Sequence, residues 1–114
     1  MPDDEKSETA IMHEIMLTAP TVGVRLFRNN VGVLQDKHGS YVRFGVANPG
    51  GADLIGWTIR REFAVFTAVE VKKEGKHPTK SQQAFLDAVT RSGGFACVAT
   101  CVEDFLIAFA GWRK

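Results

Sequence analysis

Apolar positions recur along this chain with two different periods, and the switches between them mark its elements. Ser7-Glu8-Thr9-Ala10 opens a helix, and Ile11, Ile15 and Leu17 or Thr18 follow at helical spacing. Residues 7–18 are therefore predicted as helix, ended by Ala19-Pro20. Residues 22–27 alternate and are rich in β-branched types, which predicts a strand. Asn29-Asn30 and Asp36-Lys37-His38-Gly39 are turn chemistry between short strands, one of them over 41–46. An irregular loop over 47–52 leads into a strand at 53–59 and a turn at Arg60-Arg61-Glu62. Residues 63–71 form a long apolar strand, the best core candidate. A polar run over 72–79 precedes a helix over 80–91 with Phe85, Leu86 and Val89 on its inner face and Gly93-Gly94 as its cap. A strand over 95–100 and a helix from 102 to about 110 close the chain. The strand–helix–strand pass from 63 to 100 implies a parallel crossover, so the fold class is mixed α/β around one sheet.

Composition narrows this picture only a little. The 114 residues, 45% hydrophobic and 24% charged, suit one ordinary domain that buries its own core. Fourteen Lys+Arg against 13 Asp+Glu leave a net charge of +1. That balance argues against a strongly basic, sequence-independent DNA coat and against a polyacidic tail. Cys97 and Cys101, the two cysteines, cannot build a thiolate zinc site unaided and read as small apolar residues in a reducing compartment. The acidic Met1-Pro2-Asp3-Asp4-Glu5 start is unlike a signal peptide, and the apolar run 15–17 is too short to span a bilayer. Residues 1–6 are expected to be a flexible tail, 7–114 one domain, and the setting cytoplasmic, with no membrane partner. Gly75-Lys76 is followed by His77, so there is no P-loop and no nucleotide cofactor is expected.

The chemistry concentrates where the long strand ends, at Ala68-Val69-Glu70-Val71-Lys72. Residues two apart in a strand face the same way, so Glu70 and Lys72 share one side while Val69 and Val71 take the other. An acid and a lysine on a core strand are costly unless paired or bound to something. A hairpin around 60–62 would set Asp53 opposite a residue near position 69, one step from Glu70. Two carboxylates then converge with one ammonium. Such a hard, oxygen-rich set suits magnesium or manganese, and phosphodiester hydrolysis needs a metal-activated nucleophile together with positive charge on the phosphate. Taken alone, a Glu-x-Lys triplet is commonly a solvated ion pair.

The flanking segments decide between these readings. In order they are Ser7-Glu8-x-x-Ile11, Phe27-Arg28-Asn29-Asn30-x-Gly32, Arg43-Phe44-Gly45, Gly51-x-Asp53-Leu54-Ile55-Gly56, Glu70-Val71-Lys72 and Thr79-x-x-Gln82-x-x-Phe85-Leu86. The ordered set resembles the virus-type replication-repair nuclease (VRR-NUC) domains of the PD-(D/E)XK superfamily, in their stand-alone phage and bacterial form. The family usually carries proline where this chain has Ala52. The resemblance implies a restriction-endonuclease-like core, a mixed sheet flanked by helices in the order α-β-β-β-α-β. It further implies that Asp53, Glu70 and the Val71 backbone carbonyl hold Mg²⁺, with Mn²⁺ able to substitute, and that Glu8 completes the acidic cluster. By spacing alone Glu14 is a rival to Glu8. Lys72 would position the attacking water, and Gln82, rather than Gln83, would touch that lysine or the water.

The resemblance also sets expectations for the substrate. Lys73, Lys76 and Lys80 with Arg28, Asn30 and Arg43 surround the acidic set and suit a phosphate backbone. Nothing resembles a major-groove recognition helix, so binding is expected to be structure-selective. Stand-alone relatives are similar to dimeric resolvases of four-way junctions. The expected activity is a metal-dependent endonuclease on branched DNA, working as a homodimer in a bacterial or phage-infected cell. The alternatives are a nicking or restriction-type nuclease on duplex or flap DNA, and an inactive DNA-binding relic. The apolar closing helix, with Phe105, Leu106, Ile107, Phe109 and Trp112, is a candidate dimer interface.

Overall fold

The computed structural model describes residues 6–114, so the expected tail lies outside the described residues except for Lys6. The Ser7 hydroxyl accepts the Ala10 N–H at 3.0 Å and starts helix α1, Glu8–Thr18. Its buried stripe is Ile11, Met12 and Ile15, continued by Ala19, and Leu17 is 78% exposed. Leu17 lies two residues beyond Ile15, on the opposite side of the helix. Ala19–Val22 continues as a turn of 3-10 helix, a start that Pro20 tolerates, and Gly23 in the left-handed region (φ 84) redirects the chain. Strand β1, Val24–Arg28, accordingly starts two residues later than the alternation predicts.

Strands β2, Gly32–Gln35, and β3, Tyr41–Phe44, pair only with each other, as a ribbon outside the main sheet. The Asp36 carboxylate closes the ribbon by accepting the His38 and Ser40 N–H groups at 2.8 and 2.9 Å. Gly45 (φ 98) ends β3 two residues before the expected boundary. Strands β4, Leu54–Arg60, and β5, Phe63–Val71, form the central hairpin. Only Arg61 and Glu62 lie between them, so the turn is one residue tighter than expected and the ladder shifts by one. Leu54 pairs with Val69, and continuing the ladder sets Asp53 opposite Glu70 itself. Helix α2, Lys80–Arg91, crosses over to strand β6, Phe95–Ala99, which runs parallel to β5. Helix α3, Val102–Trp112, closes the fold.

The main sheet has the order β1-β4-β5-β6, antiparallel except for β5-β6. This is the expected mixed sheet flanked by helices, with the β2-β3 ribbon added to it. One face packs Val24, Leu26, Leu54, Val69, Val71 and Phe95 against α1 and α3. Phe105 and Phe109 of α3 lie in that core, with ring centroids 6.2 and 5.6 Å from Phe95. The closing helix therefore gives Phe105 and Phe109 to the core, whereas Leu106 and Trp112 are half-buried and Ile107 stands well out. On the other face α2 covers only the β5-β6 half, through Ala68, Leu86 and Val89. On that α2 face the first half of β5 is more open, with Phe66 44% exposed, whereas Thr67 to Val71 are buried. No helix among the described residues is long and apolar enough to cross a membrane.

Candidate active site

The site forms where β4 begins and β5 ends, and one buried asparagine holds the incoming loop. Asn29, just beyond β1, is 8% exposed. Its Nδ2 donates to the carbonyls of Val46 and Ala52, both at 3.0 Å, and its Oδ1 accepts the Val46 N–H at 3.0 Å. Its backbone N–H donates to the Asp53 carbonyl at 2.8 Å. A single residue thus closes the loop over 46–52 with its side chain and sets the backbone of Asp53 with its own N–H. Gly51 packs so closely on the Val46 carbonyl that a Cβ there would collide with it. Ala52 is buried against Ala68, Leu86 and Val89. Asn29 thereby holds the backbone at Ala52, where the sequence has no proline. The sequence reading took Asn29 for a turn residue and favoured its neighbour Asn30, which is exposed.

Asp53 Oδ2 accepts the Val71 N–H at 2.9 Å, which fixes the carboxylate across the end of β5. Glu70 is 1% exposed. Its Oε2 lies 3.3 Å from the Lys72 ammonium, and its Oε1 is buried with no hydrogen-bond partner among the described residues. Lys72 is anchored in turn by its own N–H, which donates to the Ala99 carbonyl at 3.0 Å. Burial pushes the Glu70 carboxyl up to about 7, the Asp53 charge adds to the rise, and Lys72 opposes it. Asp53 is also raised, by burial first and by the charge of Glu8, against the Val71 hydrogen bond and the charges of Lys72 and Arg28. Two raised carboxylates, one of them raised partly by the other and carrying a bare buried oxygen, form a site short of positive charge.

Glu8 reaches the same strand end from α1, where its Oε2 accepts the Lys73 N–H at 3.2 Å. Glu14, its rival by spacing, pairs with Lys6 at 2.6 Å on the surface. Among the described residues, no three His, Cys, Asp or Glu side chains are gathered into a ready metal-ligand set, so Glu8 stands at the margin of the Asp53–Glu70 pair. Val71 enters the site through its N–H.

A family model, the VRR-NUC domain, matches residues 19–103. The chain belongs to the VRR-NUC family. It is therefore a nuclease domain, and its partner is DNA. Comparison with the curated proteins and with solved structures found no match. The VRR-NUC match contains Asn29, Asp53, Glu70, Lys72 and Gln82, and it leaves α1 with Glu8 and most of α3 outside.

One residue singled out in the VRR-NUC pattern is engaged elsewhere. Gln82 Oε1 accepts the Thr79 N–H at 2.9 Å, while the Thr79 hydroxyl accepts the Gln82 N–H at 3.2 Å. This reciprocal pair caps α2 and explains the Thr79-x-x-Gln82 spacing without contact to Lys72. Gln83 donates to Asp87 at 2.9 Å on the helix surface. Arg28, Arg43, Lys76 and Lys80 are exposed and Lys73 is half-buried. Among the described residues only Lys6 and Lys72 form ion pairs, which leaves these cations available to phosphate. Arg28 is near enough to lower Asp53, whereas Arg43 lies out on the β2-β3 ribbon. Cys97 and Cys101 are free thiols, and burial pushes Cys97 up to about 12, so it is no nucleophile.

Proposed function

We propose that this VRR-NUC domain is a divalent-metal-dependent endonuclease selective for branched DNA such as four-way junctions, acting as a homodimer in a bacterial or phage-infected cytoplasm. The observation that carries the reading is Asp53 set opposite Glu70 at a strand end, with the bare buried Glu70 Oε1 and Lys72 beside it. Hard carboxylate oxygens in a charge-deficient pocket fit Mg²⁺ or Mn²⁺, held by Asp53, Glu70 and the Val71 carbonyl with Glu8 nearby. Once bound, such an ion supplies positive charge to the scissile phosphate and acidifies water.

The chain's own residues do the rest. The Val71 N–H and the Asn29 clamp hold Asp53 in one orientation. Lys72, restrained by Glu70 and by its bond to Ala99, presents its ammonium to a phosphate oxygen and orients the attacking water. One P–O ester bond is exchanged for a bond to the water oxygen. Arg28, Asn30, Lys73, Lys76 and Lys80 hold the flanking backbone and Arg43 a more distant part of it. The dimer reading is supported by Phe27, Trp57 and Ile59, which leave the β1-β4 half of one sheet face apolar and uncovered.

A titration of Mg²⁺ and Mn²⁺ against labelled linear, flap and four-way-junction DNA tests the reading. The expected result is paired, symmetric nicking of the junction. Equal cutting of linear duplex would make the protein a nicking or restriction-type nuclease. Tight binding without cleavage of any substrate would make it a relic.

A further inference from the structure

At the far end of the sheet from Asp53 and Glu70, an open groove of about 580 Å³ runs between the β4-β5 turn and the end of α3. Arg60, Arg61, Arg113 and Lys114 line it, and no acidic side chain does. Among the described residues none of these four forms an ion pair. Two are posed on aromatic platforms: the Arg60 guanidinium lies 4.4 Å from the Trp112 ring centroid and that of Arg113 lies 5.5 Å from Phe109. The Trp112 indole is itself fixed, donating to the Gly94 carbonyl at 3.1 Å. The groove therefore presents positioned, uncompensated guanidinium groups.

The turn gives an independent reason to look here. Arg61 and Glu62 both sit at positive φ, 51 and 74. A two-residue hairpin turn of this kind favours Asn-Gly or Asp-Gly, because other side chains are strained there. Folding alone does not favour arginine at position 61, whereas a phosphate ligand would.

We propose that this groove is a second phosphate-binding surface, which grips the DNA backbone well away from the scissile phosphate. The inference rests on the DNA-nuclease reading above and adds a distant anchor to it. β5 runs nine residues between the two ends. At ~3.3 Å per residue the groove lies about 26 Å along the strand from the carboxylates, the length of roughly eight base pairs of duplex, and on the α3 side of the sheet. Only DNA longer than that, or a second arm of a branched substrate, engages both places. Arg113 and Lys114 fall outside the matched family segment.

The test uses the full chain carrying Arg61→Asn with Arg113→Gln, titrated with a 30-base-pair duplex and a six-base-pair duplex in Ca²⁺ over a range of salt. Asparagine tolerates the left-handed turn, so the melting temperature should hold or rise. Affinity for the long duplex should nevertheless fall about tenfold or more, and the slope of log K against log salt should become shallower by about two. Binding of the short duplex should not change. Long-duplex affinity and slope equal to wild type would overturn the groove while leaving the nuclease reading intact, provided wild type binds and cleaves. Wild type that neither binds nor cleaves any DNA would overturn the nuclease reading and the groove's partner with it.

Discussion

Glu70 pairs one carboxylate oxygen with Lys72 and leaves the other buried and bare, so its charged form is held at a cost to the fold. Its pKa is raised from 4.5 to about 7, so the native state binds more protons than the unfolded state between those values. The sign follows: this contribution to the stability of the metal-free protein is fully present below about 4.5 and is lost as pH rises to about 7. Thermal melts in EDTA across that range should show the decline, and Glu70→Gln should flatten it while abolishing cleavage. Divalent-ion affinity should rise over the same interval, because the ion competes with the proton. Asn29 makes its case at the same scale. Asn29→Ala removes three hydrogen bonds, one buried and two part-buried, and should destabilise the protein by about 2–3 kcal/mol, read by urea unfolding. Cleavage by the folded fraction should also drop, since the Ala52 carbonyl beside Asp53 loses its side-chain anchor.

Among the elements, the β4-β5 hairpin and α2 carry separate duties. The hairpin's two-residue turn sets the register that places Asp53 opposite Glu70, so inserting one residue at Arg61 should abolish activity in a protein that still folds. Helix α2 depends on its capping pair. Gln82→Ala should cost about 1 kcal/mol in thermal stability with kcat unchanged well below the melting temperature, and Gln82→Glu should restore the stability. A hundredfold loss of kcat in Gln82→Ala at full folding would instead return the glutamine to the reaction. Much of this level was legible in the chain. The α2 boundaries and the span of β5 match their predicted ranges, because each combines a strong period with clear end signals. The 3-10 turn at 19–22 was not, since β-branched residues leading into a strand look alike in sequence whether or not the ladder has begun.

The whole molecule has an unbalanced sheet: both halves of one face are covered, but only half of the other. Phe27 and Trp57, with ring centroids 5.5 Å apart, sit on the open half, where a soluble monomer gains nothing from them. Phe27→Glu should shift the sedimentation profile toward monomer with its circular dichroism unchanged, and should uncouple the two nicks on a four-way junction. A wild-type monomer at all concentrations would refute the dimer. The near-neutral total charge conceals a separation at this scale. Carboxylates gather at one end of the central strands, and four uncompensated cations line a groove at the other.

By itself the sequence determined the mixed α/β class, the order of the main elements and the grouping of Asp53, Glu70 and Lys72. Periodicity assigns a residue to a face, and proximity along a hairpin does the remainder. Tertiary structure decided what depends on partners far away in the chain. Asn29 bonds to groups 17 and 23 residues distant, and Glu8 is separated from Glu14 by a contact with Lys73, 65 residues on. Gln82 shows the reverse case, a residue whose partner is local and whose distant contact is absent. The one-residue register shift belongs with these, because alternation fixes which face a side chain takes, whereas turn length fixes which residue stands opposite it.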